Sequence, residues 1–286
     1  MSLAARERGG PHRPAVEVIN RRQLQPVEHD GLVRLGFPGD GGYVVPEAQV
    51  RDAAVLLSLG MKDDWSFDRD FVRANARARV IGVDRSVGPA FFSRRVVTGL
   101  VALVRGSLTG DGRSVRRQAA LVGNGLDYFV FFAGRHRHIR KMVSGEDTPS
   151  TISMARLLDT ARVNEDHKIF LKMDIEGAEY GLIPAIVGHA GRFGCVVAEF
   201  HSLNRKARLF NQTIAMLREH FRIVHIHGNN YSQYDPANDF PNAVEITVVN
   251  NALMPGETRL SPWEYPRADL DRPNHPGRPD HPLRFD

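Results

Sequence analysis

At 286 residues, with 42% apolar residues and a formal charge of +5, the chain is long enough for one large α/β domain with ragged ends. A single cysteine, Cys195, excludes a disulfide framework and a thiolate zinc cage. The opening MSLAARERGGPHRP lacks the apolar core of a signal peptide, and no window is apolar for long enough to span a bilayer, so a cytoplasmic protein without a membrane span is expected.

The ends differ from the middle. Residues 1–28 read as a basic N-terminal arm, 29–255 as the folded domain and 256–286 as a proline-rich tail. Proline fixes φ and removes a donor, so this tail is expected to lie over the surface or stay loose. Gly39-Asp40-Gly41-Gly42-Tyr43 reads as a flap or tight turn before the strand Tyr43-Val44-Val45. Val55 to Leu59 is a buried strand ending at Gly60, and a helix follows from Ser66 with Phe67, Phe71 and Val72 on one face. Val80 to Val83 is a second strand, ending at Asp84. Residues 87–145 hold an amphipathic helix, Phe91 to Arg105, and an aromatic strand at 128–132. That block precedes the basic run Arg135 to Lys141 instead of interleaving with it. The run therefore reads as solvated surface, and nucleic acid is not expected as a partner.

Ser153 to Ala161 is a helix leading into the strand Ile169 to Met173, and Tyr180 to Val187 is helical again. Cys195 to Phe200 is a strand, and residues 204–220 form a long amphipathic helix. Phe221 to Ile226 and Val244 to Val249 are strands joined without an obvious helix, which predicts an antiparallel pair at one edge. The alternation predicts an α/β fold, a mainly parallel sheet with helices on both faces.

The most informative stretch is KIFLKMDIEGAE, Lys168 to Glu179. An apolar strand stops at Asp174, with Glu176 and Glu179 close behind. Open α/β sheets bind ligands beyond the carboxyl ends of such strands, and three carboxylates together are costly to bury without partners. The corner is therefore expected to face a polar pocket. Gly60 permits close backbone approach, and Asp84 at the next strand end suits a ribose diol. There is no G-x-G-x-x-G in the first turn, which argues against a dinucleotide; Ser58, Gly60, Asp63 and Ser66 suit a loop around an amino-acid-bearing adenosine. Residues two apart on a strand share a face, as Glu199 and His201 do, and His225 and His227; three neighbouring strand ends can thus present Asp174, Glu199, His201, His227 and Asn229 around one cleft, while Glu245 closes the same ring or only pairs with a neighbouring arginine. Such a set suits proton removal from a hydroxyl or a divalent metal. The spacing does not match H-E-x-x-H.

These segments resemble the FkbM-type methyltransferases, a branch of the S-adenosylmethionine-dependent class I methyltransferases. The resemblance is carried by DGGYVV from Asp40, SLGMKDDWSFD from Ser58, IGVD ending at Asp84, LKMDIEGAE from Leu171, AEFH ending at His201 and HIHGNN from His225. It implies a Rossmann-like, seven-stranded, mostly parallel sheet whose last strand runs antiparallel at one edge. It implies S-adenosylmethionine as cofactor, held by Asp40, Gly41, Ser58, Gly60, Asp63, Ser66, Phe67, Asp84 and Asp174. Glu176, Glu199, Asn229 and Asn230 are the matching candidates for contact with the acceptor. His201 or His227 is expected as the base, with Asp174 orienting it or binding a metal; Asp174, Glu199 and His201 are the candidate metal ligands. The expected reaction is O-methylation of a hydroxyl on a sugar, glycan or small metabolite. A metal-dependent hydrolase using the same Asp/Glu/His cluster is the second reading.

Overall fold

The computed structural model describes residues 18–163 and 168–286; the start of the expected N-terminal arm lies outside them. Seven strands form one sheet: β1 (Ala53–Leu59), β2 (Arg79–Val83), β3 (Arg137–Ile139), β4 (Lys168–Met173), β5 (Phe193–His201), β6 (Phe221–Gly228) and β7 (Ala243–Asn250). Their spatial order is β3-β2-β1-β4-β5-β7-β6. All pairings are parallel except those of β7, which runs antiparallel to both β5 and β6. The antiparallel strand is thus inserted one place in from the edge.

Among the described residues seven α-helices accompany the sheet: α1 (Glu47–Asp52), α2 (Ser66–Ala74), α3 (Pro89–Thr109), α4 (Gly112–Phe131), α5 (Met154–Ala161), α6 (Glu179–Gly188) and α7 (Leu203–His220). Strands buried on both faces read as continuous apolar runs, as FGCVVAEF in β5 and AVEITVV in β7 do. Leu57, Leu171, Val196 and Ile246 belong to a core shared with Leu157 of α5, Ile183 of α6 and Phe210 of α7. On the other face Leu56, Phe170 and Val197 pack with Phe67 and Phe71 of α2, and with Tyr43 and Val45. The last two come from a hairpin, Leu32–Leu35 with Tyr43–Pro46.

Three sequence expectations are corrected. The aromatic block at 128–132 ends α4 instead of forming a strand. Tyr128 and Phe132, four residues apart and so on one helical face, both meet Trp65 edge-on, while Tyr128 stacks on Phe92 at 4.1 Å. The edge strand of the region is β3, inside the basic run, whose charges mask a strand signal. The segment 18–28 is not a free arm, since Ile19 and Leu24 are buried in the core and the Val27 amide donates to the Ile223 carbonyl at 2.8 Å. Of the two expectations for the tail, it follows the first and packs against the body, with Tyr265, Asp271, Asn274 and Leu283 all buried.

Candidate active site

Strand register builds the site. Leu59 is paired with Val83 on one side and with Met173 on the other. The residues that follow, Gly60, Asp84 and Asp174, therefore emerge at one level on three adjacent parallel strands. Strand order reverses between β1 and β4, so this is the switch point where a crevice opens. Gly60 has φ +77°, and a Cβ there would lie 1.7 Å from the Asp174 carbonyl oxygen. Only glycine lets the two strand ends close together.

The same level continues across the sheet. Met173 pairs with Ala198, Glu199 with Glu245, and Glu245 with His227. Asp174, Glu199, Glu245 and His227 thus form a cross-strand row. Like charges directly opposite destabilise a sheet, and each acid here has a compensating neighbour. Asn229 Nδ2 donates to Glu199 Oε1 at 2.7 Å, and Asn274 Nδ2 donates to Glu245 Oε1 at 2.6 Å. The row is still under strain electrostatically. Burial pushes the Glu199 carboxyl well above its ordinary range, and the charges of Asp174 and Glu245 push it the same way. Burial raises Asp174 too, against the pull of Lys172, His201 and Lys62.

A cavity of about 550 Å³ opens at the switch point, lined by Gly60, Lys62, Asp84, Ser86, Asp174 and Glu176, with Met142 and Val143 on the far wall. Asp84 is 8% exposed. Its Oδ1 accepts from the Ser86 amide and hydroxyl, each at 2.6 Å, and its Oδ2 accepts from the Lys62 amide at 2.8 Å. A carboxylate offers about four acceptor positions, so one remains, on Oδ2. Lys62 Nζ pairs with Glu176, which holds the Glu176 carboxyl low. Glu176 itself has φ +57°, a left-handed turn just after the strand end.

His201 stands where four carboxylates meet. Its Nδ1 bonds Glu179 Oε1 at 3.0 Å, while Nε2 lies 3.3 Å from Glu199 and 3.8 Å from both Asp174 and Glu176. Burial alone would lower its pKa, but the Glu179 hydrogen bond and the surrounding acids outweigh it and push it up to about 9. That shift favours the protonated ring, a proton donor, over the neutral ring that either a base or a metal ligand requires. Glu179 is fully buried at the N-terminus of α6 and accepts from the Ile175 and Gly177 amides at 3.1 and 3.0 Å. Burial raises it, yet His201 and these donors hold it below its ordinary value.

The ligand atoms of Asp174, Glu179 and His201 lie within 4.8 Å of one another. Asp174 Oδ1 and Glu179 Oε2 are buried without a hydrogen-bond partner. Carboxylate and imidazole together suit a divalent cation. Asp174 and His201 are common to this set and the expected one; Glu199 Oε1, the third expected ligand, lies 3.3 Å from His201 Nε2.

Other expected residues point elsewhere. His227 is 1% exposed, with Nδ1 on Glu245 at 3.3 Å and Nε2 on Asp280 at 2.9 Å. Both ring nitrogens are occupied, so it is walled off from the cavity and is not offered to an acceptor as a base. Asn230 Nδ2 bonds the carbonyls of His275 and Arg278, each at 3.1 Å, and holds the tail down. Asp63 pairs with Arg95 at 2.6 Å, Ser66 Oγ accepts from the Phe37 amide, and Phe67 is core. Ser58 is fully buried below the rim, level with Gly82 and Lys172. Asp40 is exposed on its turn and accepts from Asn274 at 3.4 Å, and Gly41 beside it has φ +85°; neither lines the cavity. Sequence reasoning placed Glu179 at the acidic corner without giving it a role, and missed Lys62, Ser86 and Tyr43, whose hydroxyl donates to Asp174 at 3.5 Å. Lys62 and Glu179 lay inside strings already singled out, while Tyr43 arrives from a distant hairpin and leaves no local signal.

No protein-family model matches the chain, and no curated protein matches it. Solved structures do. A precorrin-6Y C5,15-methyltransferase from Geobacter metallireducens is 13% identical, with 71% of this chain and 84% of that one covered and a TM-score of 0.34. An O-methyltransferase from Bacillus cereus, solved in complex with SAH, is 9% identical over 71% of this chain and 76% of its own, with a TM-score of 0.34. A protein described as a putative rRNA methylase, from Clostridium thermocellum, is 8% identical over 71% and 90%, with a TM-score of 0.37.

Proposed function

We propose that the protein is an S-adenosylmethionine-dependent methyltransferase that methylates a hydroxyl on a sugar, glycan or related small metabolite. One observation carries this reading: Asp84 and Asp174 flank Gly60 at the switch point and open on one cavity. Its volume, about 550 Å³, lies within the range of small-molecule pockets. The acid-rich rim suits a ligand bearing positive charge. The free acceptor position on Asp84 Oδ2 suits a ribose hydroxyl, and Asp174 with Glu176 would face the cationic end. The finer FkbM-type assignment rests on the LKMDIEGAE and HIHGNN strings.

When bound, S-adenosylmethionine supplies a methyl group on a positively charged sulfur. The chain's residues supply alignment and a proton acceptor. Asp174, raised by burial and bearing an unpartnered Oδ1, takes the hydroxyl proton of the acceptor as its oxygen becomes an ether. His201, protonated and fixed by Glu179, stabilises the charge that develops on that oxygen. Alignment provides much of the rate. The hydrolase reading finds less support, because hydrolysis has no use for the Gly60 and Asp84 side of the cavity.

Calorimetric titration of the purified chain with S-adenosylmethionine tests the proposal. Saturable binding is expected, and Asp84→Ala should weaken it by about tenfold or more, as loss of a buried hydrogen bond to a ligand does. No heat of binding to the wild type, or full affinity in a folded Asp84→Ala variant, would refute the cofactor assignment.

A further inference from the structure

The α3–α4 hairpin is an insertion between β2 and β3 that contributes no strand to the sheet. Its two helices meet through glycines. A Cβ on Gly99 would lie 2.6 Å from a methyl of Val122, and one on Gly125 the same distance from a methyl of Val96. The close approach turns the larger apolar side chains outward. Val97, Leu100, Val101, Val104 and Leu108 recur at helical spacing on α3, and all are exposed, Val104 at 63% and Leu108 at 83%. On α4, Leu126 and Val130 are exposed as well, Val130 at 74%. A surface helix normally turns such a stripe to the core, and bare apolar patches mark interaction sites.

Charge says what covers it. Residues 89–131 contain six arginines, two aspartates and no lysine or glutamate. Both aspartates have partners on the hairpin or beside it: the exposed Asp111 caps α4 through the Ser114 amide at 3.1 Å, and the half-buried Asp127 accepts from Trp65 Nε1 at 2.8 Å. Arg94 and Arg105 are exposed and, at about 100° per residue, fall along one flank of the α3 stripe. Arg113, Arg116 and Arg117 are exposed on α4. An apolar stripe bordered by arginine suits the headgroup boundary of an anionic bilayer, where aliphatic side chains sink in and guanidinium groups meet phosphate. A second copy would bring like charge against like charge. Phosphate of a nucleic acid would leave the aliphatic stripe unused. No helix of the described residues is long and apolar enough to cross a membrane, so the contact is peripheral.

We propose that α3 and α4 dock the protein on anionic phospholipid surfaces. The hairpin is anchored to the cavity's loop, since Arg95 pairs with Asp63 at 2.6 Å and Asn124 Nδ2 donates to the Asp63 carbonyl at 2.9 Å. The proposal stands whether or not the methyltransferase reading does.

Flotation of the full chain with vesicles is the test. Vesicles of phosphatidylcholine with about 30% phosphatidylserine should carry the protein up the gradient, pure phosphatidylcholine should carry far less, and added salt should weaken the contact. Val101→Glu with Val104→Glu should abolish flotation. Arg94→Gln with Arg105→Gln should weaken it by roughly fivefold per charge. These positions face solvent, and matching melting curves will establish that the variants fold. The proposal fails if the wild type does not float with the anionic vesicles at low salt, or if the folded valine variant floats unchanged. It fails equally if the wild type is a dimer in solution that the valine variant converts to monomer while vesicles bind neither.

Discussion

At the scale of the residue, Gly60 and Asp174 are the positions where small changes should matter most. Gly60→Ala adds a methyl group at φ +77°, against the Asp174 carbonyl. A left-handed alanine alone costs about 1–3 kcal/mol, and the backbone clash adds to it. Chemical denaturation should therefore record a loss of more than about 3 kcal/mol; a near-native midpoint would mean that β1 and β4 separate more easily than the packing implies. Asp174→Asn keeps the shape and removes the proton acceptor. Once an acceptor substrate is identified, it should lower kcat by about 10²–10⁴, and affinity for the cationic cofactor should fall as well, because the same carboxylate faces its charged end. A variant with full turnover would move the base elsewhere on the rim.

The element that most needs explaining is the helical hairpin. Its packing depends on small residues at the crossing, so a branched side chain should wedge it apart. Gly125→Val is expected to cost about 1–3 kcal/mol, as overpacking does. The loss should be local, because Phe92 and Tyr128 of the hairpin pack in a small cluster with Met61, Trp65 and Val87 that is separate from the two sheet cores. Hydrogen exchange should quicken across α3 and α4 while β1, β4 and β5 stay protected. Uniform quickening over the sheet would show instead that hairpin and sheet unfold as one unit.

Over the whole molecule, the C-terminal tail acts as a clamp on β6. His225 Nε2 bonds Asp271 at 2.9 Å, and His227 bonds Glu245 and Asp280. Burial works against a charged His227, but the hydrogen bonds to Asp280 and Glu245 outweigh it and push its pKa up to about 10 from 6.5. A raised histidine contributes stability fully below its unfolded value and loses it as pH rises through its folded value. The clamp should therefore weaken between about pH 6.5 and about pH 10. Asp271 acts in the opposite sense. Burial raises it, His225 more than compensates, and its lowered pKa gives stability that disappears in acid. Melting curves across pH should fall on the alkaline side, and His227→Gln should flatten that limb. The substitution leaves the buried Glu245 and the half-buried Asp280 without their shared cation and should cost up to about 3 kcal/mol. An unchanged alkaline slope in the variant would assign the loss to another group.

Much of this was legible in the sequence. Apolar runs ending at Gly60, Asp84, Asp174 and His201 marked four strands and the level of the rim, because a strand buried on both faces must be apolar and its first polar residue announces the edge. Alternation of strand and helix set the fold class. What the sequence could not decide was which side chains the rim would keep. His227 and Glu199 share strand parity and register, yet the tail buries one while the other sits beside His201. Strand β3 was hidden by its own arginines, and the aromatic end of α4 imitated a strand because bulky apolar residues suit either geometry over five positions. Tyr43, Asn274 and Asp280 meet the row from far along the chain. Periodicity along a chain reports which face of an element avoids water; which distant segment covers that face is settled only when the chain closes on itself and every buried charge must find a partner.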